Sequence, residues 1–247
     1  MATDPIALMY GGLAQLGPGD DAETLGVLTS LPEHTFQLVV DAGCGSGRQT
    51  LVLAKALHVP VHAIDIYPLF LSELEQRAHQ AGLGHLVQTH CTTMQAIPDM
   101  FRDIDLLWSE GAAYNIGFAN ALTSWAAAIK PGGFLVVSEL SWLSDCIPDP
   151  VAAFFQSEYP AMRSLQENVE IARAAGYRVL NTRTLPESAW TEGYYNAIEP
   201  RAEKLQDHPH PAVRTLATEM LAEIEILANS EGSYGYTFYI LQRKAAR

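Results

Sequence analysis

The stretch that decides the fold is "VVDAGCGSGRQT", Val39 to Thr50, in which three glycines occupy five positions directly after an apolar run. Each glycine inside such a segment costs roughly 0.5–1 kcal/mol relative to alanine, so the backbone there needs positive φ or close approach. The preceding "FQLVV" is a continuous apolar run rather than an alternating one, the pattern of a strand buried on both faces. A strand, a glycine turn and a helix N-terminus together form a seat for a nucleotide-like ligand at the sheet's carboxyl edge.

Working outward, strands and helices alternate. "VPVHAID", "HLVQTHC", "DIDLLWSEG", "FLVVSEL", "RVLNTRTLP" and "YGYTFYILQRK" read as six further strands. Helices are expected from Asp20 or Asp21 to Leu31, from about Gln49 to Leu57, and over "LFLSELEQRAHQAGL", "FANALTSWAAAI" and "MRSLQENVEIARAAGY". "KPGG" at Lys130–Gly133 is a strong turn signal, and the proline-rich stretch after the fifth strand reads as irregular. The pattern predicts an α/β, Rossmann-like fold: a seven-stranded, mostly parallel sheet with an antiparallel last strand, helices on both faces, and a helical insertion at 190–230 between strands 6 and 7. One domain is expected over 1–247, with a cofactor-binding half at 35–140 and a substrate-side half at 141–247.

Composition narrows the function. The 247 residues include 48% hydrophobic and 17% charged side chains, a globular balance. A net charge of −13 opposes binding of nucleic acid. Three unpaired cysteines (Cys44, Cys91, Cys146) give neither a disulfide framework nor a zinc pattern, and a reducing cytoplasm fits them. The first ten residues lack the basic, then apolar pattern of a signal peptide, and no apolar run approaches the ~20 residues of a membrane span. The eight histidines show no metal-ligand spacing, and "DHPHP" at 207–211 reads as a solvated loop.

The ligand class follows from the glycine spacing. Gly43, Gly45 and Gly47 give G-x-G-x-G, with Arg48 where the diphosphate fingerprint wants its last glycine. Asp65, at the end of the second strand, stands where a group binding ribose hydroxyls belongs. A glycine loop with that carboxylate points to an adenosine without diphosphate. With "AIDIY", "TTMQAIP", "LLWSEGAAYNIGF" and "IKPGGFLVVSE", the chain resembles the class I methyltransferases that use S-adenosylmethionine, over roughly Gly17 to Glu139. "GPGDDAETL" and "WSEGAAYNIGF" further resemble a bacterial subgroup of small-molecule methyltransferases.

The resemblance implies site roles. Asp41, Gly43, Gly45 and Gly47 would line the methionine and ribose side, Asp65 would hold the ribose, and Ile66 would pack on the adenine. Thr93 and Met94 would sit at the adenine edge; Thr93 departs from the acidic residue of many relatives. Ser109 and Glu110 would face the methionine portion, Glu110 serving as general base where one is needed. Tyr114, Trp142 and Trp190 are expected at the substrate, the last within "WTEGYY" as part of a lid. The Asn/Asp-Pro-Pro-Tyr signature of amide and base methylation is absent. A small-molecule acceptor is therefore expected, with no metal, nucleic acid or membrane. The helix "AVRTLATEMLAEIEIL" packs in the core or at a homodimer contact. The competing readings are a nicotinamide-dependent oxidoreductase and a non-catalytic adenosine-binding module.

Overall fold

The apolar run before the glycine loop forms β1 (Val39–Ala42), buried at all four positions. It pairs in parallel with β2 (Val61–Asp65) on one side and β4 (Ile104–Ser109) on the other. This computed structural model describes residues 3–245. The sheet runs β3 (Val87–Cys91), β2, β1, β4, β5 (Ile129–Trp142), β8 (Tyr234–Arg243), β7 (Tyr177–Thr184). β8 is antiparallel to both of its neighbours, and all other neighbouring pairs on this path are parallel. The seven expected strands are thus present in the expected sense. A two-residue strand, β6 (Arg163–Ser164), adds to the end of β5. Chain order reverses between β1 and β4, which places a ligand crevice beyond the carboxyl ends of these strands.

Helices cover both faces because the strands bury both sides. On one face α6 (Phe118–Trp125) and α8 (Leu165–Ala174) pack on Val40, Leu107, Leu135 and Tyr239. On the other, Val39, Leu106, Trp108, Val136 and Phe238 meet α2 (Asp21–Thr29) and α3 (Arg48–Leu57). Trp108 and Trp125 are fully buried, and each satisfies its indole N–H: Trp108 Nε1 donates to Glu110 Oε1 at 2.7 Å and Trp125 Nε1 to the Met94 carbonyl at 3.0 Å. Burial of such a side chain contributes on the order of 1.5–3 kcal/mol, and the paired N–H avoids the desolvation penalty.

Helices lie where the sequence reading placed none, among them a short one at Ile97–Met100. Within the proline-rich stretch, α7 (Asp149–Glu158) carries Pro150 in its first turn, where a missing N–H costs nothing. Near the start, Asp4 caps α1 (Pro5–Tyr10), accepting from the amides of Ile6 and Ala7. The insertion is helical as expected, with α9 (Ser188–Trp190), a π-helical turn (Thr191–Tyr195), α10 (Asn196–Leu205) and α11 (Pro211–Ala228). It packs on α1, and Arg201 donates to the carbonyls of Met9 and Gly11 at 3.0 and 2.7 Å. The face of α11 carrying Val213, Ala217, Met220 and Leu227 is buried within the chain.

Candidate active site

A cavity of about 570 Å³ opens at the reversal point of the sheet. Its walls come from the glycine loop, the ends of β2 and β4, the turn after β3, and an N-terminal arm that supplies Ile6, Tyr10 and Ala14–Pro18. No described residue beyond Ile116 lines it. The substrate-side half expected at 141–247 therefore acts from behind, by holding α1 in place.

The loop geometry answers the glycine question in two parts. Gly43 has φ +74°, and a Cβ there would sit 2.3 Å from Ala112 Cβ; Gly47 has φ +86°, and its Cβ would sit 2.1 Å from Leu74 Cδ1. Both glycines answer internal packing demands. The loop amides are also engaged: those of Gly43 and Cys44 donate to the Ile64 carbonyl at 2.9 and 3.0 Å. Gly45 N donates to Asp65 Oδ2 at 2.9 Å. These amides are spent on β2, leaving the loop as a smooth ledge rather than an anion nest, which suits a ligand lacking diphosphate.

Asp65 is fixed from both sides, its Oδ1 accepting from Tyr67 N at 2.9 Å. Burial pushes its carboxyl above the ordinary range, against the hydrogen bonds from the Tyr67 and Gly45 amides. A pair of hydroxyl donors arriving from the cavity would offset that desolvation. Beside it Ile66 is 55% exposed, and it lines the cavity together with Thr93 and Met94. An exposed branched aliphatic beside a fixed carboxylate fits a nucleoside, with the base over carbon and the sugar on oxygen. Gly45 gives a third sign of fit, since a Cβ there would meet Leu16 Cδ1 at 2.8 Å and fill the groove between loop and arm.

Four of the expected site residues do not line the cavity. Asp41 is fully buried under the loop and accepts from Thr50 Oγ1 at 2.6 Å and Gln49 Nε2 at 3.3 Å; burial pushes it up to about 7. It fastens the first turn of α3 to β1. Ser109 is also fully buried and donates to the Ala42 carbonyl at 2.9 Å. Trp142 meets Phe155 and Tyr234 edge-on. Trp190 is 3% exposed and stacks on Tyr236 with ring centroids 5.2 Å apart, so it belongs to the aromatic core and not to a lid. The roof is α1 and the arm instead.

Glu110 does line the cavity, but its oxygens are occupied. Oε1 accepts from Trp108 Nε1 and, at 2.8 Å, from Thr24 Oγ1; Oε2 pairs with Arg48 Nη2. Arg48 also reaches Asp21 Oδ1 at 3.0 Å. Both oxygens of this carboxylate are engaged, with three donors, one of them a guanidinium, on its roughly four lone-pair sites, an arrangement that orients the group rather than freeing it as a base. Glu110 and Arg48 thus form a partly enclosed ion pair that seats α2 beside the cavity. Tyr114 stands at the cavity wall as expected, 42% exposed.

The residues missed from sequence are Tyr10, Leu16 and Arg48, together with the segment that carries the first two. One signal was available. "TDPIALMY" contains an N-capping aspartate followed by proline at the first helical position, the start pattern of a helix. Nothing local indicated that this helix would fold back over the loop.

Known proteins resemble the chain in sequence over this segment and in fold over its length. A family model described as a methyltransferase domain matches residues 39–133, the segment from β1 to the start of β5. A dimethylglycine N-methyltransferase of Parasynechococcus marenigrum is 33% identical over 107 residues, a stretch covering 41% of this chain and 36% of that relative. Among solved structures, an S-adenosylmethionine-dependent methyltransferase of Thiobacillus denitrificans, in complex with S-adenosylhomocysteine, superposes with a TM-score of 0.80 at 20% identity, covering 100% of this chain and 99% of that one. YjhP of Escherichia coli superposes with a TM-score of 0.81 at 17% identity, covering 97% and 99%. The chain thus carries a segment matching a methyltransferase domain over residues 39–133, on the fold of S-adenosylmethionine-dependent methyltransferases.

Proposed function

We propose that this chain transfers the methyl group of S-adenosylmethionine to a small-molecule acceptor that enters beside Tyr10 and Tyr114. The observation that carries the reading is the carboxylate of Asp65 locked to the glycine loop through Gly45 N, with Ile66 bare beside it. Both hydroxyls of a ribose find their acceptor there, and an adenine finds an apolar surface.

The donor, when bound, supplies a methyl already activated by a positive sulfur. The protein's own residues hold the partners in line. Asp65 fixes the sugar, and Met94 with Ile66 sandwiches the base. The Arg48–Glu110 pair acts as a rigid, nearly neutral floor; Glu110 is assigned a positioning role and no proton transfer. Tyr10 and the arm at 14–18 form one wall of the cleft. A nicotinamide dinucleotide would need amides free for its diphosphate, and those of Gly43, Cys44 and Gly45 are taken.

Calorimetry with S-adenosylhomocysteine and NAD, followed by transfer of radiolabelled methyl into a metabolite pool, tests this. Binding of the first, none of the second, and label in a low-mass product are expected. Tight NAD binding, or label found only in protein or nucleic acid, would overturn it.

A further inference from the structure

Resting on the methyl-transfer reading above, we infer that the acceptor carries a cationic amine, received by a tyrosine wall with two enclosed glutamates behind it. The wall begins where the cavity ends. Gly111 and Tyr114 line the cavity, and the hydroxyl of Tyr236 lies 3.9 Å from the Cβ position of Gly111. Behind Tyr114 stands Tyr159, edge-on at 6.2 Å between ring centroids.

Two carboxyl groups sit at the back of this wall. Glu139, on β5, is 2% exposed; its Oε1 accepts from Tyr159 Oη at 2.8 Å, and its Oε2 is buried without a partner. Glu223, on α11, accepts from Tyr195 Oη at 2.8 Å. Neither is in any ion pair among the described residues. Tyr195, which holds Glu223, packs at 6.1 Å on Trp190, whose ring stacks on Tyr236 at 5.2 Å, so Glu223 joins the wall through that ring.

Buried carboxyl groups are ordinarily matched by a cation or fully hydrogen-bonded. Among the described residues, Glu139 Oε1 and Glu223 Oε1 accept from tyrosine hydroxyls, and Glu139 Oε2 is buried without a hydrogen-bond partner. Ring faces attract ammonium groups through the quadrupole, more strongly where water is excluded. Carboxylates behind the rings add to that field in a low-dielectric setting. Burial pushes Glu139 up to about 7, so an arriving cation would draw it to the charged form. A phenolate or carboxylate acceptor would meet the same negative field as a repulsion.

The test uses a charged probe and its uncharged carbon counterpart, choline and 3,3-dimethylbutan-1-ol, titrated into the full chain saturated with S-adenosylhomocysteine. Choline is expected to bind about tenfold or more tightly than the alcohol. Glu139→Gln is expected to remove most of that preference while leaving S-adenosylhomocysteine affinity unchanged; Tyr159→Phe serves as the second variant and is expected to narrow the preference. Equal binding, preference for the alcohol, or binding of neither probe to the saturated protein would overturn the inference. Failure of S-adenosylhomocysteine itself to bind would instead sink the methyl-transfer reading.

Discussion

Replacing Asp65 with alanine removes three things at once, and their sizes differ. The ligand loses a charged acceptor for its sugar hydroxyls, worth roughly 1.5–3 kcal/mol. That is about a 10- to 150-fold rise in Kd. The fold loses the acceptor for Gly45 N and Tyr67 N, both at 2.9 Å. Water can replace part of this, because Asp65 is only partly buried, and the mutant is relieved of the desolvation that lifts the carboxyl's pKa. A net loss of about 1–2 kcal/mol remains, which lowers Tm by roughly 2–8 °C for a chain of this size. Asp65→Asn should fall between, since one oxygen still accepts from one amide while the NH₂ group faces the other. Isothermal titration with S-adenosylhomocysteine at pH 8, alongside a thermal melt, reads both effects. A loss of affinity below threefold in a variant that melts like the wild type would remove Asp65 from the binding site and with it the reasoning from the second strand's end.

Arg48→Met should cost about 3–5 kcal/mol in urea unfolding, because Glu110, with 4% of its side chain exposed, is left enclosed without its ion-pair partner; the double variant with Glu110→Gln should recover most of it, and no recovery would mean that Arg48 acts through other contacts. Gly47→Ala should cost about 2–5 kcal/mol, the sum of left-handed backbone strain and overpacking against Leu74. Gly82→Ala, at φ +73° with nothing within 4 Å of its Cβ, should cost only the first part, and equal costs at the two sites would refute the packing argument. Asp41 and Glu139 are both pushed up to about 7 by burial, so the native protein holds protons that the unfolded chain has released. Their contribution to stability should fall as pH rises from about 4 to about 7. Urea midpoints measured at pH 5 and pH 8 check this, and Asp41→Asn should flatten the difference; an unchanged slope would contradict the assignment.

The parts of this molecule legible in sequence are those fixed by neighbours in the chain. Runs such as "LVVDA" and "DLLWS" declare buried parallel strands because both faces are apolar, and the loop declares itself by glycines that only tight backbone explains. The place of Asp65 on the cavity wall was readable because it ends the strand beside the loop. Strand parity was not. Ser109 and Glu110 are adjacent in an extended segment and point to opposite sides, so the one that lines the cavity depends on which face the crevice occupies. Asp41 fell on the buried side for the same reason. Aromatic residues such as Trp142 and Trp190 serve a core as well as a pocket, and only the packing of Phe155, Tyr234 and Tyr236 around them decides. The roof was hidden because its contacts join positions almost two hundred apart.

That last contact bears on how the protein is made. Arg201 grips carbonyls 192 and 190 positions earlier in the chain. During synthesis β1 and its loop emerge long before α10, so the nascent cleft lies uncovered on the ribosome until Arg201 has emerged. The proposed ligand would meet an open shelf before that point and a roofed one after it, once the guanidinium holds the first helix in place.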